Sequence, residues 1–260
     1  MIKKNLLASI IIASTISIGN AQIKINKGTI GAVSAGVKAV SFSNADAVKQ
    51  AKEAIDWMDK NNPVAGPKDP YTIRLNKLID KLPKVEGLNM NYKVYKVIDI
   101  NAFACADGSV RVFSSLMDMM TDDELIGVIG HEIGHVANKD SRDQVKAAYT
   151  RAALANGVAS QSETATVILT DYGAIANDLL DAKHSRRQES EADAYSYEFI
   201  KKNGYNIMGL VSSFQKLQKM EEGTEQSKIT KMFSSHPDSG KRVKEIIKKA
   251  KRDGLYKPTE

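Results

Sequence analysis

A single cysteine, Cys105, leaves this 260-residue chain without an intramolecular disulfide framework and without any multi-cysteine metal cluster. Histidine is equally scarce. His131, His135, His184 and His236 are the only four, so any imidazole chemistry must use them. No stretch beyond the N-terminus is apolar for long enough to span a bilayer, since residues 152–169 are interrupted by Gln161, Ser162 and Glu163. What remains is ordinary globular material: 42% apolar and 26% charged residues exclude wholesale disorder. The length suits one domain, or one domain with a small appendage. The formal net charge of +6 includes Lys-rich helical stretches after Lys201, which read as solvated helix faces. No nucleic-acid-binding motif accompanies them, so a nucleic-acid partner is excluded. Weak attraction to an anionic membrane surface stays open.

The first 21 residues read as an export signal. Lys3 and Lys4 precede a run of apolar and small residues at 6–18, and Gly19-Asn20-Ala21 supplies the small residues of a cleavage site. The mature chain then begins at Gln22, and no cysteine follows the cut to carry a lipid. An uncleaved anchor is the alternative, though thirteen apolar or small residues are short for a span.

Residues 22–70 form a lead-in, a helix and a rigid connector. Helical spacing begins near Ala45, with Val48, Ala51, Ala54, Ile55 and Met58 on one face. It stops at Asn61-Asn62-Pro63, and the stretch from there to Pro70 holds three of the six prolines. Residues 71–260 make the main domain. A helix over 71–82 leads to alternating residues at Tyr92, Val94 and Val97-Ile98, which predict a strand. Residues 101–106 and 110–113 predict two more, joined by the turn signal Asp107-Gly108. Everything after Ser115 reads helical. The fold class is α+β, mostly helical with a small sheet.

The most specific feature is His131-Glu132-Ile133-Gly134-His135. Its helix starts at Thr121, with Glu124 three residues later to close a capping box. Leu125, Ile126, Val128, Ile129, Ile133 and Val136 make the helix apolar nearly all round, so it is expected to be buried. Gly127, Gly130 and Gly134 each cost about 1 kcal/mol against alanine, which close packing by a neighbour would justify. Burying two histidines and a glutamate there is costly unless something binds them. His131 and His135, one turn apart, reach a single tetrahedral cation, and Glu132 is displaced towards a water on that metal. This is the pattern of a zinc-activated water with a carboxylate general base. Independent placement of the chain's histidines and glutamates would give about 0.003 such pentapeptides per chain, so chance explains it poorly.

A hydrolytic zinc site needs a third protein ligand and one open position. Glu189 is the best candidate, with Asp193 one turn on to take the N–H of a ligating histidine. Glu191 is the next choice. His184 reads as a surface residue leading into this helix, Cys105 as a buried small hydrophobe, and Tyr195, Tyr197 and Phe199 as helix packing.

HExxH followed some fifty residues later by Glu189-x-x-Ala192-Asp193 is similar to the gluzincin peptidases that include the CAAX prenyl protease and HtpX. Within them the chain looks most like the soluble periplasmic branch typified by BepA and LoiP. Asn101, Ala102, Phe103 and Ala104 resemble the edge strand that binds substrate backbone, and Ser185-Arg186 precedes the ligand glutamate as in the family. Residues 190–197, Ser-Glu-Ala-Asp-Ala-Tyr-Ser-Tyr, look LoiP-like. His236-Pro237 with Arg242 resembles the family's His-Pro element. The resemblance covers about residues 71–252 and departs in two places. Asp140 stands where many relatives carry a basic or His residue that is not a ligand, and the spanning helices of membrane-embedded relatives are missing.

The resemblance implies a zincin-like endopeptidase holding one Zn2+ through His131, His135 and Glu189, with Glu132 as general base. For His236 it leaves two roles, donor to the oxyanion or fourth ligand that keeps the enzyme latent; Arg242 would orient that loop or pair with Asp193 or Glu191. It also implies extended polypeptide substrates, unfolded or misassembled exported proteins, and a periplasmic location with outer-membrane association as an option. Two other classes stay open: a zinc-stabilised chaperone-like binder using the same strand, and a peripheral envelope scaffold with structural zinc. Glu132 argues for catalysis, because a purely structural site has no use for it.

Overall fold

The computed structural model describes residues 43–80, 89–144, 172–181, 183–221, 235–237 and 239–257, with a few single positions between them. The export signal, the lead-in up to residue 42 and most of the 152–169 stretch's surroundings, including that stretch itself, lie outside the described residues. Among the described residues no helix is long and apolar enough to cross a membrane.

Helix α1 (Asn44–Asn61) begins at a capping box in which Ser43 Oγ accepts from the Asp46 N–H and Asp46 accepts from the Ser43 N–H. Ala47, Ala51, Ala54, Ile55 and Met58 form its buried stripe. Val48, expected on that face, is 43% exposed because it falls just outside the arc that meets the sheet. Helix α2 (Pro70–Ile79) is started by Asp69, whose carboxylate accepts from the Tyr71 N–H, and ends before Leu82.

Three strands follow: β1 (Asn91–Tyr95), β2 (Ala102–Ala104) and β3 (Ser109–Phe113), in the order β1-β3-β2. The outer strand β1 runs parallel to β3 and β2 runs antiparallel to it. Both predicted outer strands are shorter than the alternation suggests. β1 stops at Tyr95 because the Lys96 N–H turns to Pro63 C=O and the Val97 N–H back to Tyr95 C=O, leaving Ile98 77% exposed. Cys105 and Ala106 belong to the 105–109 turn, where Gly108 has φ +86° and a Cβ would meet Asn89 O at 2.5 Å.

Arg111 on β3 is 1% exposed, and Asp59 of α1 accounts for it. The carboxylate accepts from Arg111 Nε at 2.9 Å and Nη2 at 3.0 Å, from Lys93 at 2.7 Å and from the Tyr95 hydroxyl at 2.7 Å. Burial works against the Asp59 charge, but the Arg111, Lys93 and Tyr95 hydrogen bonds outweigh it and hold the carboxyl below its ordinary range. A depressed carboxyl stabilises the fold above its unfolded pKa, and that contribution is lost as pH falls through the folded value. Asp59→Asn is therefore expected to cost about 2–3 kcal/mol at neutral pH. Urea titrations should show the gap from the parent closing below about pH 4; a gap independent of pH would rule this account out.

Helix α3 (Ser114–Met119) leads to α4 (Asp122–Ala137), the central helix, whose Thr121/Glu124 capping box is formed. Then come α5 (Tyr172–Asp181), α6 (Arg186–Lys202), α7 (Ile207–Glu221) and α8 (Ser239–Arg252). The architecture is the expected α+β one. α4 lies against α6 and α7 and also meets β2 and β3. A Cβ on Gly127 would lie 2.9 Å from Leu210 Cα of α7, and one on Gly134 would lie 3.0 Å from Ala192 of α6, so these glycines let both neighbours approach the backbone. One core joins these helices to the sheet; a second, with Met58, Tyr95, Phe103, Phe113 and Ala176, lies beneath α1 and α5.

Candidate metal centre

His131 and His135 project from α4, one turn apart, and are 2% and 1% exposed. Glu189, in the first turn of α6, is brought to them by the Gly134–Ala192 contact. His135 Nε2 lies 3.0 Å from His131 Nε2 and 3.3 Å from Glu189 Oε1; His131 Nε2 lies 3.6 Å from Glu189 Oε2. His236 enters from the 235–237 turn, its Nδ1 3.1 Å from Glu189 Oε1 and 3.3 Å from His131 Nε2. Ligand atoms of all four residues fall within 4.8 Å of one another.

The ring tautomers follow from what stands behind them. His131 Nδ1 meets Asp193 Oδ1 at 2.9 Å and His135 Nδ1 meets Asp140 Oδ2 at 2.7 Å, so each carboxylate takes a ring N–H. Two Nε2 lone pairs then face each other beside the Glu189 carboxylate, an arrangement that calls for a cation. The buried Glu132 side chain makes the same point. Its Oε1 has no hydrogen-bond partner among the described residues and stands 3.6 Å from His236 Nε2. Two imidazoles, a carboxylate and one further imidazole are a donor set that suits zinc.

Electrostatics in the cluster are uneven. Burial, with help from Arg242, pushes His131 down to about 3. Burial also opposes charge on His135, but Asp140 and Glu189 outweigh it and raise the ring to about 9. Burial likewise opposes the Glu189 charge, and His236, His135 and His131 overcome it, holding the carboxyl far below its ordinary range. Glu132 is pushed up, chiefly by burial.

Arg242 of α8 flanks the donors on the α6 side. Its Nε and Nη2 donate to the two Asp193 oxygens at 2.8 and 2.7 Å, and Nη1 is ion-paired to Glu189 Oε2. Glu191 is exposed and bonds Arg187 instead, outside the cluster.

Two residues depart from the sequence reading. His184 is half-buried where the sequence suggests a surface residue: its backbone N–H donates to Ser235 C=O, and its ring stacks on His135 with centroids 3.7 Å apart. The connector into α6 is drawn under the 235–237 turn, and burial pushes His184 well down. Asp140, treated above only as a departure from the family pattern, is 3% exposed and orients His135. Lys139, with φ +65°, turns the chain back at the end of α4 to place it.

β2 is the sheet edge nearest the site, and Asn101, Ala102, Phe103 and Ala104 share a cavity with Glu132, His184 and His236. That cavity measures about 20 Å³, room for a single water. Leu179 and Leu180 of α5 also line it. The edge is engaged within the chain: the Ala102 N–H donates to Asn101 Oδ1 at 2.9 Å, and Ala104 C=O accepts from Ser141 Oγ at 3.2 Å.

The profile of peptidase family M48 matches residues 74–250, the stretch that contains every element of this cluster. The chain belongs to peptidase family M48. It is 42% identical to "Metalloprotease YcaL" of Escherichia coli (strain K12) over 220 residues, 83% of this chain and 85% of the relative. "Metalloprotease LoiP" of the same strain is 36% identical over 235 residues, 88% of this chain and 92% of the relative. "Protease HtpX homolog" of Salinibacter ruber is 26% identical over 210 residues, 68% and 75% of the two chains. Membership of the M48 family makes the chain a metalloendopeptidase, with polypeptides as its substrates.

Proposed function

We propose that this M48 peptidase is a zinc endopeptidase of the cell envelope, exported by residues 1–21, and that it cleaves unfolded or misassembled exported proteins. Residues 71–260 would carry the activity and 22–70 a lead-in. The observation that carries the reading is the buried Oε1 of Glu132, without a hydrogen-bond partner among the described residues, beside four converging donors. His131, His135 and Glu189 would hold the ion, with Asp193 and Asp140 fixing the two rings. Bound there, zinc would supply the Lewis acidity for attack by a water. Glu132 takes the proton from that water and delivers it to the leaving amine. Its raised pKa suits a group that must hold a proton briefly. β2 would bind an extended substrate by backbone pairing, a mode that makes little demand on sequence.

A second reading is a latent form of the same enzyme, favoured by His236 standing among the donors and by the engaged β2 edge. Casein cleavage by the mature chain tests both. The activity should vanish on chelation and return with zinc; cleavage indifferent to chelation would sink the zinc reading. In the same assay His236→Ala separates the roles. Loss of an oxyanion donor lowers turnover about 10²–10³-fold, whereas release of a blocking ligand raises it.

A further inference from the structure

The 235–237 turn is a wall between two depressions. Ser235 and His236 line the small cavity on the β2 side, while Pro237 lines a groove of about 690 Å³ between α6 and α8. Glu189, Asp193 and Arg242 form the groove's inner end, so the donor cluster lies between the two depressions. Ala194, Tyr197 and Ile246 contribute apolar lining. Six further cations, Arg186, Arg187, Lys241, Lys248, Lys249 and Arg252, line it against one further carboxylate, Glu245. Arg187, Lys249 and Arg252 are paired with Glu191, Glu198 and Asp253, which lie outside the lining. Lys241 and Lys248 are exposed on α8 and have no ion-pair partner among the described residues.

We infer that the substrate path continues from β2, across the donor cluster, into this cationic groove once the 235–237 turn is displaced, and that the groove selects acidic residues on one side of the scissile bond. The inference rests on the endopeptidase reading above and adds a substrate preference to it. A recessed cleft of one charge sign concentrates field on a chain that enters it. The lysine stems and apolar lining accommodate the aliphatic part of an extended peptide. An anionic bilayer would instead need cations projecting from a convex face, and these surround a hollow.

The test compares matched peptides, identical except for Ser or Asp at three positions on either side of the cleaved bond. In the zinc-loaded protein, Asp on one side should raise kcat/KM about fivefold or more at low salt, by the scale of exposed ion pairs. The gain should fall away at about 1 M salt, where charges are screened within about 3 Å. The double variant K241E/K248E should lose the preference and favour Lys-substituted peptides, with circular dichroism checking its fold. Equal kcat/KM for both peptides overturns the inference, as does a preference that survives charge reversal. Loss of binding to phosphatidylglycerol vesicles with peptide selectivity intact would overturn it in favour of membrane docking. Cleavage of neither peptide, by the parent or by the His236→Ala variant that would release a latent form, would overturn the endopeptidase reading itself, and the groove's role with it.

Discussion

Glu132→Gln is expected to lower kcat for casein about 10³-fold, within the range general acid–base groups contribute, while leaving the fold and the bound metal in place. Gln keeps the volume of the buried side chain and its neighbours' packing, so what is lost is the ability to accept a proton beside the donors. The carboxylate is 2% exposed, and one oxygen has no hydrogen-bond partner among the described residues. A group kept there for stability would be expected to find a hydrogen bond; this one faces His236 Nε2 at 3.6 Å. Metal content measured on the same sample makes the result decisive. A variant that keeps its zinc and loses cleavage assigns the proton transfers to Glu132. Undiminished cleavage with full metal would remove Glu132 from the chemistry.

Arg242→Met should have the largest effect on stability. The guanidinium is 7% exposed, stacks on Phe214 at 4.5 Å, and binds both Asp193 and Glu189. Burial opposes the Asp193 charge, but Arg242 and then His131 hold that carboxyl down to about 2. Methionine fills much of the space and leaves two buried carboxylates without their cation, which is expected to cost the metal-free protein about 3–5 kcal/mol. A metal ion supplies some of the missing positive charge, so zinc should stabilise the variant by more than it stabilises the parent. The sign with pH follows from the depressed carboxyl. Its contribution is present above the unfolded pKa and disappears on acidification, so the variant's deficit should narrow below about pH 4. Urea denaturation with and without chelator measures all three, and equal stability of the two metal-free proteins would contradict the account.

The parts of the centre that are legible in the sequence are those set by helical spacing. His131 and His135 one turn apart, Glu189 and Asp193 one turn apart, and the Thr121 and Ser185 caps all depend on local periodicity. The α+β class was legible for the same reason, through the change from alternation to helical period. His184 was not, because it lies in a connector with no period, and its stacking on His135 depends on the 235–237 turn. Nor was the parallel pairing of β1 with β3, which joins segments separated by the whole of β2. Strand lengths were overread because alternation continues past the point where backbone hydrogen bonds turn elsewhere. Val48 shows the converse limit, an apolar residue at the edge of a stripe with no partner surface to cover it.

Asp140 is instructive in a different way. The left-handed Lys139 costs about 1–2 kcal/mol in an L-residue, and it returns the chain so that Asp140 reaches His135 from only five residues away. The carboxylate that orients His131 comes instead from α6, a distant segment. One imidazole is therefore aimed by the end of its own helix, and the other only when a remote helix docks. During folding, α4 can present a single aligned nitrogen before the rest of the centre exists. Metal capture is thereby tied to the docking of α6 on α4, and a chain that has not made that contact has no complete centre with which to cut its neighbours.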